Sequence, residues 1–120
     1  MTDNIIKTKS FSFALRIIKL FQFLKDDKKE YVLSKQLLRS GTAIGALIRE
    51  SEQAESKKDF IHKLAIAQKE ANETDYWLEL LFQSHYLNET KFRSIKADII
   101  EINKILASII ITSKQKLSTT

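Results

Sequence analysis

The apolar residues of this chain recur at helical intervals, and short polar breaks divide them into four stretches. Phe92, Ile95, Ile99, Ile102, Leu106 and Ile109 alternate steps of three and four, which lines one side of an α-helix as a bundle seam. Phe60, Leu64, Ala67, Ala71, Leu78 and Phe82 form a second stripe, and Leu33, Leu37, Ile44 and Ile48 a third. With the apolar run from Phe11 to Leu24, this predicts helices over about residues 10–25, 29–55, 57–86 and 89–114. Ser56 with Asp59 three residues on reads as a capping box, and Asn88 as the N-cap of the fourth helix. Each of the three later helices should span about 40 Å at ~1.5 Å per residue. Matching lengths and short connections predict one domain over residues 1–120: an all-α, antiparallel up-and-down four-helix bundle.

The first helix is apolar on nearly every side. Phe11, Phe13, Ala14, Leu15, Ile17, Ile18, Leu20, Phe21, Phe23 and Leu24 leave only Ser12, Arg16, Lys19 and Gln22 as a polar strip. A surface helix needs one apolar face of about 100°. The fourth helix also carries apolar residues off its seam: Ile100, Ala107, Ile110 and Ile111. No helix is surrounded in a four-helix monomer, so the surplus predicts a homo-oligomer. Phe11, Phe13, Ile17, Phe21, Ile100, Ile110 and Ile111 are the expected helix–helix or subunit contacts. A membrane-surface role is the competing reading, but the polar strip is narrow for it. No run approaches the ~20 apolar residues of a membrane span, and no membrane partner is expected.

Composition sharpens this picture by what it lacks. The 120 residues include no proline, no cysteine and two glycines. Turn-rich sandwiches and barrels need Gly and Pro at their turns. A dinucleotide fingerprint and a phosphate-binding loop cannot be written with these glycines, and thiol or thiolate–metal chemistry has no cysteine. Gly41 and Gly45 lie one turn apart inside the second helix, where each costs roughly 1 kcal/mol relative to Ala. Together they form a groove where another backbone can come close. A helix break at Ser40-Gly41 is the alternative, but Leu37, Ile44 and Ile48 stay in phase across it. A ligand niche against the glycines is a third reading.

The net charge of +5 is uneven. Residues 1–39 hold nine basic against four acidic side chains, residues 40–86 five against eight, and residues 87–120 six against three. A basic excess suits a phosphate backbone through counterion release, although a lysine-rich chain also gains solubility this way. The candidate nucleic-acid contacts are Arg16 and Lys19 on the polar strip of the first helix, with Arg93, Lys96, Lys104 and Lys114 off the seam of the fourth. Single-strand binders add exposed aromatic platforms; Tyr76 and Trp77 are the candidates, the other aromatics being read as structural.

Catalytic constellations are absent. Asp59-x-x-His62 is one imperfect half of the paired Glu-x-x-His motifs of a di-iron bundle. His62 is read as a surface residue and His85 as a cap near a helix end. Glu70, Glu73, Asp75 and Glu79 read as a solvated face, with Lys69 and Glu73 an i,i+4 pair; one of these acids could meet Arg39 or Arg49. No catalytic residue, metal site or cofactor is assigned, and the chain is read as no enzyme. The polar, basic segment Met1 to Lys9 has no apolar signal core, so a cytoplasmic protein is expected.

The block Leu37-Leu38-Arg39-Ser40-Gly41-Thr42-Ala43-Ile44-Gly45-Ala46 resembles the signature of the 23S ribosomal RNA intervening-sequence proteins, bacterial four-helix bundle proteins. Glu52-x-Ala54-Glu55-Ser56-Lys57-Lys58-Asp59-Phe60-Ile61-His62-Lys63-Leu64 and Glu70-Ala71-x-Glu73-Thr74-x-Tyr76-Trp77-Leu78 extend the likeness to about Phe11 to Ile110. The resemblance implies a bundle assembled as a homopentameric ring. Some members are encoded within insertions in large-subunit ribosomal RNA genes. A related pentamer, the accessory protein of diversity-generating retroelements, has a basic surface thought to bind nucleic acid and the reverse transcriptase. No enzymatic activity, cofactor or functional residue comes with the family. The expectation is therefore a non-enzymatic, nucleic-acid-associated accessory or scaffold protein that binds RNA or DNA backbone. The alternative is an adaptor that takes a protein partner's helix on its apolar surface.

Overall fold

A computed structural model describes residues 2–118, with side chains from residue 5. It contains four helices, α1 (Thr2–Asp26), α2 (Leu33–Ser51), α3 (Lys57–Gln83) and α4 (Glu89–Ser118), and no strand among the described residues. Each helix packs on its neighbours in chain order, and α1 also meets α4. The body is elongated, 53 × 22 × 20 Å.

The predicted stripes point inward. Leu37, Ile44, Leu64, Ala67, Ala71, Leu78, Ile99, Ile102 and Leu106 are all buried. Phe82 and Phe92 stack across α3 and α4 with ring centres 4.2 Å apart. The Thr74 and Ser40 hydroxyls share a 2.9 Å hydrogen bond inside the core between α3 and α2. That pairing spares two buried polar groups the penalty of being left unmatched.

The helix bounds need five corrections. α1 begins at Thr2 rather than near Ser10, because Ile6 and Ser10 continue the buried stripe of Phe13, Ile17 and Leu24 toward the N-terminus. The Lys7–Glu52 and Lys9–Glu101 ion pairs, each 3.0 Å, tie that first part to α2 and α4. α2 begins at Leu33 rather than Lys29. Lys29 adopts a left-handed φ of 57°, and the Glu30 amide turns back to the Leu24 carbonyl at 2.9 Å. The Glu30 carboxylate then accepts from the amides of Val32, Leu33 and Ser34 at 3.2, 3.0 and 2.7 Å. It caps α2 from three residues before the first residue of the helix, satisfying donors that have no partner in the helix itself. At its other end α2 stops at Ser51, not Glu55. Amides of Glu52, Gln53 and Ala54 bond three residues back, to Arg49, Glu50 and Ser51, which tightens the last turn.

α3 ends at Gln83 rather than Tyr86. His85 takes a φ of 70°, and the Tyr86 amide reaches the Leu81 carbonyl at 2.9 Å while the His85 amide reaches Phe82 at 3.0 Å. This is a Schellman closure, so His85 caps through its backbone and its side chain is exposed. α4 runs to Ser118, a turn beyond expectation. The N-caps fall where the sequence places them: Ser56 Oγ accepts from the Asp59 amide at 3.1 Å, and Asn88 Oδ1 from the Lys91 amide at 2.8 Å.

Gly41 and Gly45 lie within one unbroken α2. Their groove is filled by α1 of the same chain. A Cβ on Gly41 would stand 2.9 Å from the Ile17 side chain, and one on Gly45 would sit 3.4 Å from Ser10 Oγ and 3.5 Å from the Ser10 carbonyl oxygen. At Gly41 no room remains for a ligand or a second helix.

Candidate nucleic-acid interface

Among neighbouring helices, α1 and α4 make the sparsest contact, and polar side chains bridge them. The Arg16 guanidinium donates to Asp98 Oδ2 at 2.5 Å and to Ser94 Oγ at 2.8 Å. This bridge separates two grooves along the α1–α4 seam. One, of about 280 Å³, is lined by Thr8, Lys9, Ser12, Phe13, Asp98, Glu101 and Ile102. Its two carboxylates make it unfit for a phosphate.

The other groove, of about 340 Å³, is lined by Arg16, Lys19, Leu20, Phe23, Lys91 and Ile95. It has three cations, an apolar floor and no carboxylate in its wall. The Lys91 ammonium lies 3.3 Å from the centre of the Phe23 ring, and Lys28 approaches the same ring at 5.9 Å. A cation over a ring at an exposed site contributes roughly 0.5–1 kcal/mol, so Lys91 is held in place only lightly. Periodicity places Arg16, Lys19 and Phe23 on one side of α1 at steps of three and four. Lys91 joins them from the first turn of α4, which sequence reasoning missed because the pairing depends on how the two helices meet.

The remaining candidate cations are dispersed. Lys96 is a correction: its ammonium is half-buried against Asp75 and within 3.3 Å of Glu79 Oε1. Burial pulls its pKa down, but the hydrogen bonds and charges of Asp75 and Glu79 outweigh that and hold it above the ordinary lysine value. Two acids read as a solvated face thus neutralise it, and it is not available to a phosphate. Arg93 pairs with Glu89 at 2.7 Å on the exposed surface. Lys104 and Lys114 are exposed on α4, far along the helix from the groove, and like Lys19 form no ion pair among the described residues. Arg39 and Arg49 meet none of the acids of α3; Arg49 lies over the Phe11 ring at 5.2 Å. Tyr76 is exposed and packs edge-on against Trp77, away from the groove lining. His62 is exposed, while Asp59 is engaged by the Glu55 amide at 3.2 Å.

The contact candidates divide into two sets. Phe13, Ile17 and Ile110 are buried in the chain's own core, and Gly41 lies beneath Ile17. They serve helix–helix packing and offer no surface to a second subunit. Phe21 is half-buried, with Lys25 at 5.6 Å from its ring. Phe11, Leu15 and Ile18 are exposed on one side of α1, at 50%, 49% and 38% of their surface. They line a shallow groove of about 320 Å³ together with Thr42, Gly45, Ala46 and Arg49 of α2. Ile100 and Ile111 are exposed on α4. No helix is long and apolar enough to cross a membrane among the described residues.

The fold has a close counterpart. It matches the crystal structure of a protein of unknown function from the S23 ribosomal protein family of Bacteroides thetaiotaomicron VPI-5482 with a TM-score of 0.91 and 59% sequence identity. The match covers 92% of this chain and 98% of that one. Comparison with curated proteins returns no match. The model of the family described as 23S rRNA-intervening sequence protein matches residues 2–108. The chain belongs to the 23S rRNA-intervening sequence protein family.

Proposed function

We propose that this protein is a non-enzymatic, nucleic-acid-associated accessory or scaffold protein that holds RNA or DNA by its phosphate backbone. The observation that carries this reading is the α1–α4 groove, where Lys19 and Lys91, in no ion pair among the described residues, converge beside Arg16, itself bridged to Asp98. Three cations around an apolar floor suit a flexible polyanion better than a small organic acid, which would call for a deeper enclosure. A mobility shift across a salt series tests the reading. Binding that weakens as salt rises, and weakens further in the double variant Lys19→Gln, Lys91→Gln, supports it; no binding at low salt overturns it.

The same reading takes the chain as an antiparallel up-and-down bundle that self-associates, as a pentameric ring. Supporting the direction of the helices, Lys9 faces Glu101 while Arg16 faces Asp98, so residue numbers rise along α1 as they fall along α4. Supporting the ring, two of the exposed apolar clusters lie on separate faces. Phe11, Leu15 and Ile18 lie beside α2, and Ile100 and Ile111 lie on α4. Two unlike faces that mate head to tail close into a ring rather than an isologous dimer. Repetition of the basic groove around such a ring would raise affinity by avidity. The competing reading gives the α1–α2 apolar groove to the helix of another protein. Sedimentation distinguishes them: a stable monomer favours the adaptor, and a closed oligomer favours the ring.

A further inference from the structure

We infer that the α1–α4 groove takes a single-stranded nucleic acid, one base seated on Phe23 and the flanking phosphates on Lys19 and Lys91. This inference rests on the nucleic-acid reading above and deepens it.

The chemistry of the lining is divided. Leu20, Phe23 and Ile95 form an apolar floor, and the three cations stand around it. A duplex presents only its charged backbone to a cleft of this size and would leave the floor unused. A single strand can splay one base out of its stack, and a base covers an aromatic face whatever its identity. Phe23 is the one aromatic side chain in this lining, and it is half-buried, so its ring is fixed in position with part of its surface open.

Lys91 now covers that ring. Its ammonium has no carboxylate partner among the described residues, and its long stem lets it swing aside. A base entering over Phe23 would displace the ammonium toward the phosphate that follows the base, so the cation exchanges a weak contact for a strong one. Stacking on an aromatic ring is the stronger contact of the two that Phe23 can make.

The path of the strand follows from the neighbouring charges. Asp98 and Glu101 line the adjoining groove beyond Arg16 and repel phosphate. In the other direction lies Lys28, 5.9 Å from the Phe23 ring and in no ion pair among the described residues, at the turn after α1, which also carries Asp26 and Asp27. The strand therefore leaves Phe23 toward this turn, and Arg16, already held by Asp98, marks its opposite limit.

Fluorescence anisotropy on the full chain at low salt tests this, with three probes: labelled oligouridylate of roughly twelve nucleotides, an abasic strand of equal charge, and a duplex of equal length. The uridylate is expected to bind about tenfold more tightly than the abasic strand and the duplex. Phe23→Leu, which keeps apolar bulk and removes the ring face, is expected to reduce uridylate binding to the abasic level. Equal affinity for uridylate and abasic strand, a tighter duplex, or an unchanged Phe23→Leu would overturn the inference and leave the backbone-binding role intact. Failure of all three probes would overturn both. The uridylate-to-abasic ratio on the unaltered protein needs no variant, so it decides the matter even if Phe23→Leu folds poorly.

Discussion

Ile17 of α1 lies directly over Gly41 of α2, so close that a Cβ on the glycine would stand 2.9 Å from both γ-carbons of the isoleucine. Ile17 is fully buried and β-branched, with little freedom to give way. Gly45, one turn on, leaves ordinary van der Waals space to Ser10. The two glycines are therefore unequal. Gly41→Ala gains about 1 kcal/mol of helix propensity but overpacks the α1–α2 contact, which typically costs about 1–3 kcal/mol. Gly45→Ala keeps the gain with little clash. Thermal melts are expected to show Gly41→Ala below the wild type and Gly45→Ala at or above it. The reverse order would refute the packing described for α1 and α2.

The scarce glycine is also absent where the backbone asks for it. Lys29 and His85 hold left-handed φ values of 57° and 70°, a region that disfavours side chains by roughly 1–2 kcal/mol. His85 has an exposed side chain, and its part in closing α3 is made by its amide. His85→Gly is expected to raise the melting temperature by a few degrees, the equivalent of up to about 1 kcal/mol once the entropy of glycine is deducted. A lower melting temperature would mean that the imidazole itself matters.

Glu30 makes the start of α2 sensitive to acid. Burial raises its pKa, but the amides of Ser34, Leu33 and Val32 more than offset this and hold it below the usual glutamate range. A carboxyl whose folded pKa is depressed contributes its full stability above the unfolded value of about 4.3. That contribution is lost as pH falls through the folded pKa. Circular-dichroism melts from neutral pH down to about pH 3 are expected to fall more steeply for the wild type than for Glu30→Gln. At neutral pH the variant is expected to be less stable by about 1 kcal/mol, the scale of a lost helix cap. Parallel pH profiles would contradict the capping role.

Leu15 is half exposed on α1, in the apolar groove shared with α2. Leu15→Glu is expected to leave the fold nearly unchanged, within about 0.5 kcal/mol for a surface site. On the proposed ring it would break the oligomer, read by sedimentation as a shift to smaller species. An unchanged oligomer would place the subunit contact elsewhere.

How far the sequence can be read follows from which rules act locally. Stripes at three- and four-residue spacing placed the cores of α2, α3 and α4, and the Ser56 and Asn88 caps marked two helix starts to the residue. The polar start of α1 hid its first turns, since burial of Ile6 depends on α2 and α4 arriving beside it. The start of α2 was misplaced because Glu30 acts as a cap from outside the helix, a role that no fixed spacing reveals. Arg16 and Lys19 were legible as a basic strip, whereas their convergence with Lys91 and Phe23 needed two helices 70 residues apart to meet. Lys96 was misread for the same reason: the acids that neutralise it lie on α3.

The most direct test of the nucleic-acid role is the salt dependence of affinity for a single strand. Each released counterion contributes about −0.7 to the slope of log K against log salt. Two phosphate contacts in one groove, at Lys19 and Lys91, predict a slope of about −1.4, steeper if several grooves of a ring engage one strand. The Lys19→Gln, Lys91→Gln variant should flatten it by about 1.4 per groove engaged. A measured slope near zero, or the same slope in wild type and variant, would contradict phosphate binding at the α1–α4 groove.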